Sequence, residues 1–169
     1  MTTDSEILAG LRDAILTEHT GSSFYTIAAE NTEDPKGREV FRMLAAEEDL
    51  HQRYLKKQYA LIAGGRDPDP LAVSDTAALL EGDSPVFSTG IRDRIADAHR
   101  EMTVLSVGLQ LELNTISRYR ELAERAGRPG LREFYDQLRT WEEGHARALE
   151  RQSRLLREAY WDAAGFAPF

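Results

Sequence analysis

Glu48-Asp49-Leu50-His51 and Glu142-Glu143-Gly144-His145 each set a carboxylate three residues ahead of an imidazole. On an α-helix, positions three apart lie about 60° apart around the axis, so both side chains can address one interior point and bind one metal ion. Two such pairs suit two ions. Helix bundles that hold two metals take one further Glu from each of the other two helices, and Glu18 and Glu112 are spaced to supply them. Four carboxylates are balanced by two divalent ions, and mixed oxygen and nitrogen donors fit iron or manganese better than calcium or a structural zinc. The residues leave iron and manganese both open as occupants, with zinc as a substitute. Glu48 and Glu142 are expected to lie between the ions. Glu18 and His51 would complete one, Glu112 and His145 the other, leaving positions open for dioxygen or peroxide.

One Glu-x-x-His pair would mean little in so acidic a chain; the spacing carries the weight. Glu18 to Glu48 and Glu112 to Glu142 are both 30 positions. A shift of 94 positions brings Glu18 onto Glu112, Tyr25 onto Tyr119, Pro35 onto Pro129, Glu48 onto Glu142 and His51 onto His145. The same shift matches Ser23 with Ser117, Ala29 with Ala123, Arg38 with Arg132, Leu44 with Leu138 and Leu55 with Leu149, the mark of an internal repeat.

The elements that must position these residues are legible as amphipathic helices. Thr3 and Glu6 have capping-box spacing, and Leu8, Leu11, Ile15, Glu18, Ser22, Tyr25 and Ala29 recur at three- and four-residue steps over roughly 4–31. Glu18 falls inside that apolar stripe, where an uncompensated carboxylate costs several kcal/mol, so a cation is expected beside it. Asp34-Pro35 caps and starts a second helix, with Val40, Phe41, Leu44, Glu48, His51, Leu55, Tyr59 and Ile62 inward and a stop at Gly64-Gly65. Glu18 and Glu48 are about equally far from the turn and are expected to face each other.

Residues 65–90, with Pro68, Pro70 and Pro85, read as one long connector with a short helix over 75–81. A third helix over 90–126 carries Ile95, Ala98, Met102, Leu105, Leu109, Glu112, Ile116, Tyr119 and Ala123 inward. A fourth over 129–159 follows the Gly127-Arg128-Pro129-Gly130 break, with Leu131, Tyr135, Leu138, Glu142, His145, Leu149 and Leu156 inward. The expected architecture is all-α: a single domain, 1–169, of two helical hairpins (4–64 and 90–159) joined by a full-length crossover that makes the second and third helices parallel. A short aromatic tail, 160–169, is expected to dock on the bundle or on a neighbouring subunit. Gly144 costs about 1 kcal/mol of helix stability relative to Ala and points to a close approach or a local distortion.

Tyr25 and Tyr119 follow their Glu by seven residues on the same face. They are either core aromatics bonded through their hydroxyls or hydrogen-bond donors to ligand carboxylates, with redox participation open to them. His19 and His99 lack partners at ligand spacing and are expected to be ordinary surface or capping residues. Glu47, Asp49 and Glu143 flank the ligands and could orient a histidine or simply be solvated.

Composition narrows the function classes. The chain has 169 residues, no Cys and a formal charge of −8. That excludes disulfides, a catalytic thiol and iron–sulfur centres held by its own thiolates, and it argues against a nucleic-acid surface. Electrons for redox chemistry are then expected from another molecule. Neither a membrane span nor a signal peptide is legible, so the expected location is the cytoplasm.

Glu18 with Tyr25, Glu48 with His51, Glu112 with Tyr119 and Glu142 with His145 resemble the ferritin-like superfamily, and more closely its rubrerythrin-related branch. The resemblance extends to Trp141-Glu142-Glu143-x-His145 and to the Tyr160-Trp161-Asp162 ending. It implies a di-iron site that reduces hydrogen peroxide or dioxygen, with an external donor such as a rubredoxin or a reductase, in a homo-oligomer, with a dimer favoured. The alternatives are ferrous-iron oxidation with iron storage or delivery, and a bundle merely stapled by metal. Two departures stand out: there is no Cys-rich rubredoxin domain, and Thr115 stands where rubrerythrins carry an extra Glu three residues after the third-helix ligand. A symmetric six-ligand site is therefore expected.

Overall fold

The computed structural model describes residues 4–69, 95–127 and 129–165. They form four helices: α1 (Asp4–Asn31), α2 (Pro35–Ala63), α3 (Ile95–Arg125) and α4 (Pro129–Ala164). The connector, its expected short helix, Thr3 of the expected capping box and the proposed start of the third helix near 90 lie outside the described residues.

The α1–α2 turn closes as its sequence dictates. Asp34 takes an extended backbone conformation and its side chain accepts the Gly37 N–H at 3.0 Å, while Pro35, with no N–H to satisfy, begins α2. The Gly64 N–H bonds back to Ala60 and Leu61 carbonyls and ends α2 where Gly64-Gly65 stands.

α1 packs along α2 and α3 along α4, and among the described residues the close backbone approach between hairpins is α1 on α3. That approach is antiparallel. Going along α1, a Cβ at Gly10 would meet Leu122, Asp13 pairs with Arg118, Tyr25 bonds Glu112, and Thr32 Oγ1 lies 3.3 Å from Glu101 Oε2. With each hairpin itself antiparallel, α2 and α3 run the same way, the topology expected of a full-length crossover. The fold is an all-α, ferritin-like four-helix bundle.

Apolar side chains fill the two ends and leave a polar layer between them. Ile7, Leu11, Leu55, Leu131, Phe134 and Leu138 belong to one cluster; Ala29, Phe41, Leu44, Leu105, Leu149 and Leu156 belong to the other. Each buried Leu or Phe contributes about 1.5–3 kcal/mol relative to exposure, so these ends hold the register in which the middle is fixed.

α4 departs from its expected boundary. It continues to Ala164, five residues past 159, because nothing after Gly144 breaks the helix until Gly165, which takes φ +67. Tyr160 and Trp161, the start of the expected tail, are therefore helical, and 166–169 lie outside the described residues. Tyr160 packs edge-on against His99, rings 5.1 Å apart, while Trp161 is 38% exposed. α4 also passes Gly144 as unbroken α-helix, so the distortion considered there is absent.

Candidate metal centre

Glu18 on α1, Glu48 and His51 on α2, Glu112 on α3, and Glu142 and His145 on α4 all reach the polar layer, and each is at most 5% exposed. The hairpin register sets the details. Glu18 meets both ligand candidates of α2: its Oε2 is 3.2 Å from His51 Nδ1, and it shares a group with Glu48, as expected from equal distances to the turn. Opposite Glu48 is Gly21, where an added Cβ would sit 3.1 Å from Glu48 Oε2 and 3.2 Å from its Cδ. The missing side chain at 21 lets the Glu48 carboxylate lie against the α1 backbone, which explains a glycine that costs about 1 kcal/mol inside a helix.

The two central carboxylates each turn one oxygen toward each imidazole. Glu142 Oε1 is 3.2 Å from His51 Nδ1 and its Oε2 is 3.4 Å from His145 Nδ1. Glu48 Oε2 is 4.0 Å from His51 Nδ1 and its Oε1 is 3.3 Å from His145 Nδ1. Glu112 Oε1 completes the His145 side at 3.9 Å. The two imidazoles lie nearly parallel, 5.4 Å apart at 13°. Two overlapping groups result, Glu18 with Glu48 and His51, and Glu48 with Glu112, Glu142 and His145, the donor atoms of each within 4.8 Å of one another.

The tyrosines cross the bundle. Tyr25 donates its hydroxyl hydrogen to Glu112 Oε1, and Tyr119 donates to Glu18 Oε1. Neither touches the Glu of its own helix: seven residues at 1.5 Å rise are about 10.5 Å, too far for that bond, whereas the antiparallel α1–α3 contact brings each tyrosine level with the opposite carboxylate. Burial first, and then the carboxylates beside them, raise both hydroxyls well above the ordinary tyrosine range, so they stay protonated and serve as donors.

Charge in the layer divides unevenly. Burial, then Glu142, Glu18 and Glu112, push Glu48 well above the usual carboxylate range. Burial and Glu142 likewise raise Glu112. Burial also acts to raise Glu142, but His51 and His145 outweigh it and hold that carboxyl far below its ordinary value. For the imidazoles burial opposes protonation; at His51 the Glu142 charge overrides it, and at His145 the adjoining Glu142, Glu47 and Glu48 carboxylates do so, leaving both raised. Glu142 keeps its charge, and Glu48 bears the repulsion.

Of the flanking acids, Glu47 is the one that meets a histidine: its Oε2 is 2.7 Å from His145 Nε2. Asp49 instead accepts from Ser22 Oγ at 2.8 Å, and Glu143 pairs with Arg139. Trp141, which the spacing argument passed over, stacks on His51 at 4.7 Å and 15°. Trp141 was detectable in principle, since an aromatic one residue before Glu142 falls at the edge of the inward stripe; the partner of Glu47 comes from the opposite hairpin. His19 is exposed; His99 is exposed and lies 3.3 Å from the Tyr160 hydroxyl.

The donor set fits metal ions on grounds of its own. Both oxygens of Glu142, Glu48 Oε1 and His145 Nδ1 are buried without a hydrogen bond of acceptable geometry, although they lie close together. Orphaned buried acceptors of this kind cost about 1–3 kcal/mol each, more when charged, and a cation satisfies several at once. Residues 10–103, more than half of the chain, match the rubrerythrin family model. The chain belongs to the rubrerythrin family. Neither a curated protein nor a solved structure matches it. The match takes in Glu18, Glu48 and His51 of this rubrerythrin-family chain and ends in α3 ahead of Glu112, so the second half of the cluster rests on the repeat and on the geometry above. Among the described residues of this rubrerythrin-family protein, no helix is long and apolar enough to cross a membrane.

Proposed function

We propose that this protein is a di-iron oxidoreductase that reduces hydrogen peroxide or dioxygen with electrons from an external donor, a rubredoxin or a reductase. The observation that carries the reading is the cluster of four buried carboxylates and two imidazoles with orphaned donor atoms turned toward one another. Glu18 and His51 would hold one ion, Glu112 and His145 the other, with Glu48 and Glu142 shared between them. Two iron ions held together supply two electrons at once, which matches the two-electron reduction of peroxide to water.

The chain's own residues provide the rest. Tyr119 ties up Glu18 Oε1 and so leaves Oε2 for the cluster; Tyr25 bonds Glu112 through Oε1, the oxygen nearer His145, and so holds that carboxylate in place on the His145 side. Both hydroxyls keep their protons and donate them in hydrogen bonds to carboxylate oxygens, which orients those carboxylates toward the cluster. The apolar clusters on either side exclude water and strengthen every electrostatic contact in the layer.

Stopped-flow mixing of the anaerobic diferrous protein with hydrogen peroxide tests the proposal. The expected result is oxidation of two ferrous ions per peroxide, complete within seconds. Oxidation no faster than that of free ferrous ion under the same conditions would refute it.

A further inference from the structure

The repeat that makes the two ion positions look equivalent breaks at one pair of residues. Shifted by 94, Glu47 falls on Trp141. These two positions make the same contact across the bundle, each lying beside the histidine of the opposite hairpin. Glu47 Oε2 is 2.7 Å from His145 Nε2, whereas the Trp141 ring lies flat on His51 at 4.7 Å. One imidazole is backed by a carboxylate, the other by an indole face.

The chemical consequence is unequal donors. A carboxylate accepting the Nε2 hydrogen fixes His145 in the tautomer whose Nδ1 lone pair faces the cluster, and it feeds negative charge into the ring, raising the basicity of Nδ1. Glu47 is well placed for this: it is 8% exposed, and its Oε1 is buried without a hydrogen-bond partner, so little else competes for its charge. An indole face packs against His51 and restricts its ring, but it accepts no proton and adds no charge. Around the cluster-facing Nδ1 atoms the two sides are alike, with three carboxylates within 4.0 Å of each, so the inequality comes from Glu47 and Trp141 behind the rings.

Resting on the two-ion reading of the site, we infer that the two positions are not equivalent: Glu47 is a positioning residue that makes the His145 position fill first and hold its ion more tightly. The His51 position, next to Trp141, fills second and releases its ion more readily. The near-twofold bundle thus contains an ordered pair, with the exchangeable ion on the Trp141 side.

Anaerobic titration of the full chain with Co2+ against a chromophoric chelator reads both binding steps. In the parent chain the expected result is two ions bound in steps separated by about tenfold or more. In Glu47→Gln, which keeps the shape but removes the charge, the first step weakens by about 10- to 100-fold while the second moves by less than about threefold. Glu47→Asp recovers part of the first step. A merely structural role would weaken both steps together and lower the melting temperature of the metal-free variant, so that melt is recorded alongside. Two indistinguishable steps in the parent, or a Glu47→Gln variant that shifts both steps equally or neither, would overturn the inference while leaving the two-ion reading standing. A parent chain that binds no pair of ions would remove the reading itself, and the inference with it.

Discussion

Glu48→Gln and Glu142→Gln should abolish paired ion binding alike and yet move the metal-free protein in opposite directions. Each carboxylate offers one oxygen to each side of the cluster, so either change should weaken both ions by at least about 100-fold, the upper range for loss of a mere supporting group. Without metal their situations differ. Glu48 is the carboxylate that burial and three like charges destabilise, so a neutral isostere removes repulsion and should leave stability within about 1 kcal/mol of the parent or above it. Glu142 sits between two protonation-prone imidazoles, and its loss leaves buried positive charge without its main partner, at a cost of about 3–5 kcal/mol. For a chain of this size that is a fall of roughly 6–20 °C in Tm. Thermal melts of both variants in the presence of chelator, at pH 6.5, check it; equal shifts would show that the charge assignment within the layer is wrong.

The second large effect is a reversal of the pH dependence of stability by metal. His51 and His145 have folded-state values above their ordinary 6.5, and Glu48 and Glu112 have values above their ordinary 4.5. Raised groups bind more protons in the folded than in the unfolded chain, so their contribution is full below the ordinary value and is lost as pH rises through the folded one. The depressed Glu142 acts the other way, with a contribution lost as pH falls below about 4.5. Metal-free protein should therefore be most stable in mild acid, begin to lose stability above about pH 4.5 through Glu48 and Glu112, and lose it more steeply above about pH 6.5 through the histidines. Bound ions require the ligands deprotonated, so their stabilisation grows with pH. At free ion about 1,000-fold above Kd it is about 4 kcal/mol, or roughly 8–16 °C here. Melts across pH 5.5–8.5 with chelator and with ferrous ion under anaerobic conditions should slope in opposite senses. Parallel slopes would mean that the titrating cluster and the ion site are different places.

Much of this was legible from the residues. Helical period fixed which side of each helix faces inward, and the equal 30-residue intervals put Glu18, Glu48, Glu112 and Glu142 in register. What stayed hidden depended on contacts between helices. Seven-residue spacing paired Tyr25 with Glu18 and Tyr119 with Glu112, but the antiparallel meeting of α1 and α3 exchanges the partners. Equal distance from a turn brought Glu18 to Glu48, but the close fit of the Glu48 carboxylate against Gly21 needed the packed hairpin to be seen. The acid at 47 was indistinguishable from a solvated one, because its burial is created by the other hairpin. At the chain's end, aromatic composition suggested a separate tail, whereas the backbone simply stays helical until a glycine permits φ > 0.

The most direct measurement is the count of ions. Metal-free protein titrated anaerobically with ferrous ion at pH 7 should show saturable binding that ends at two per chain, and Glu142→Gln should show none at the same concentrations. Saturation at one ion, or weak binding that Glu142→Gln leaves unchanged, would contradict the account.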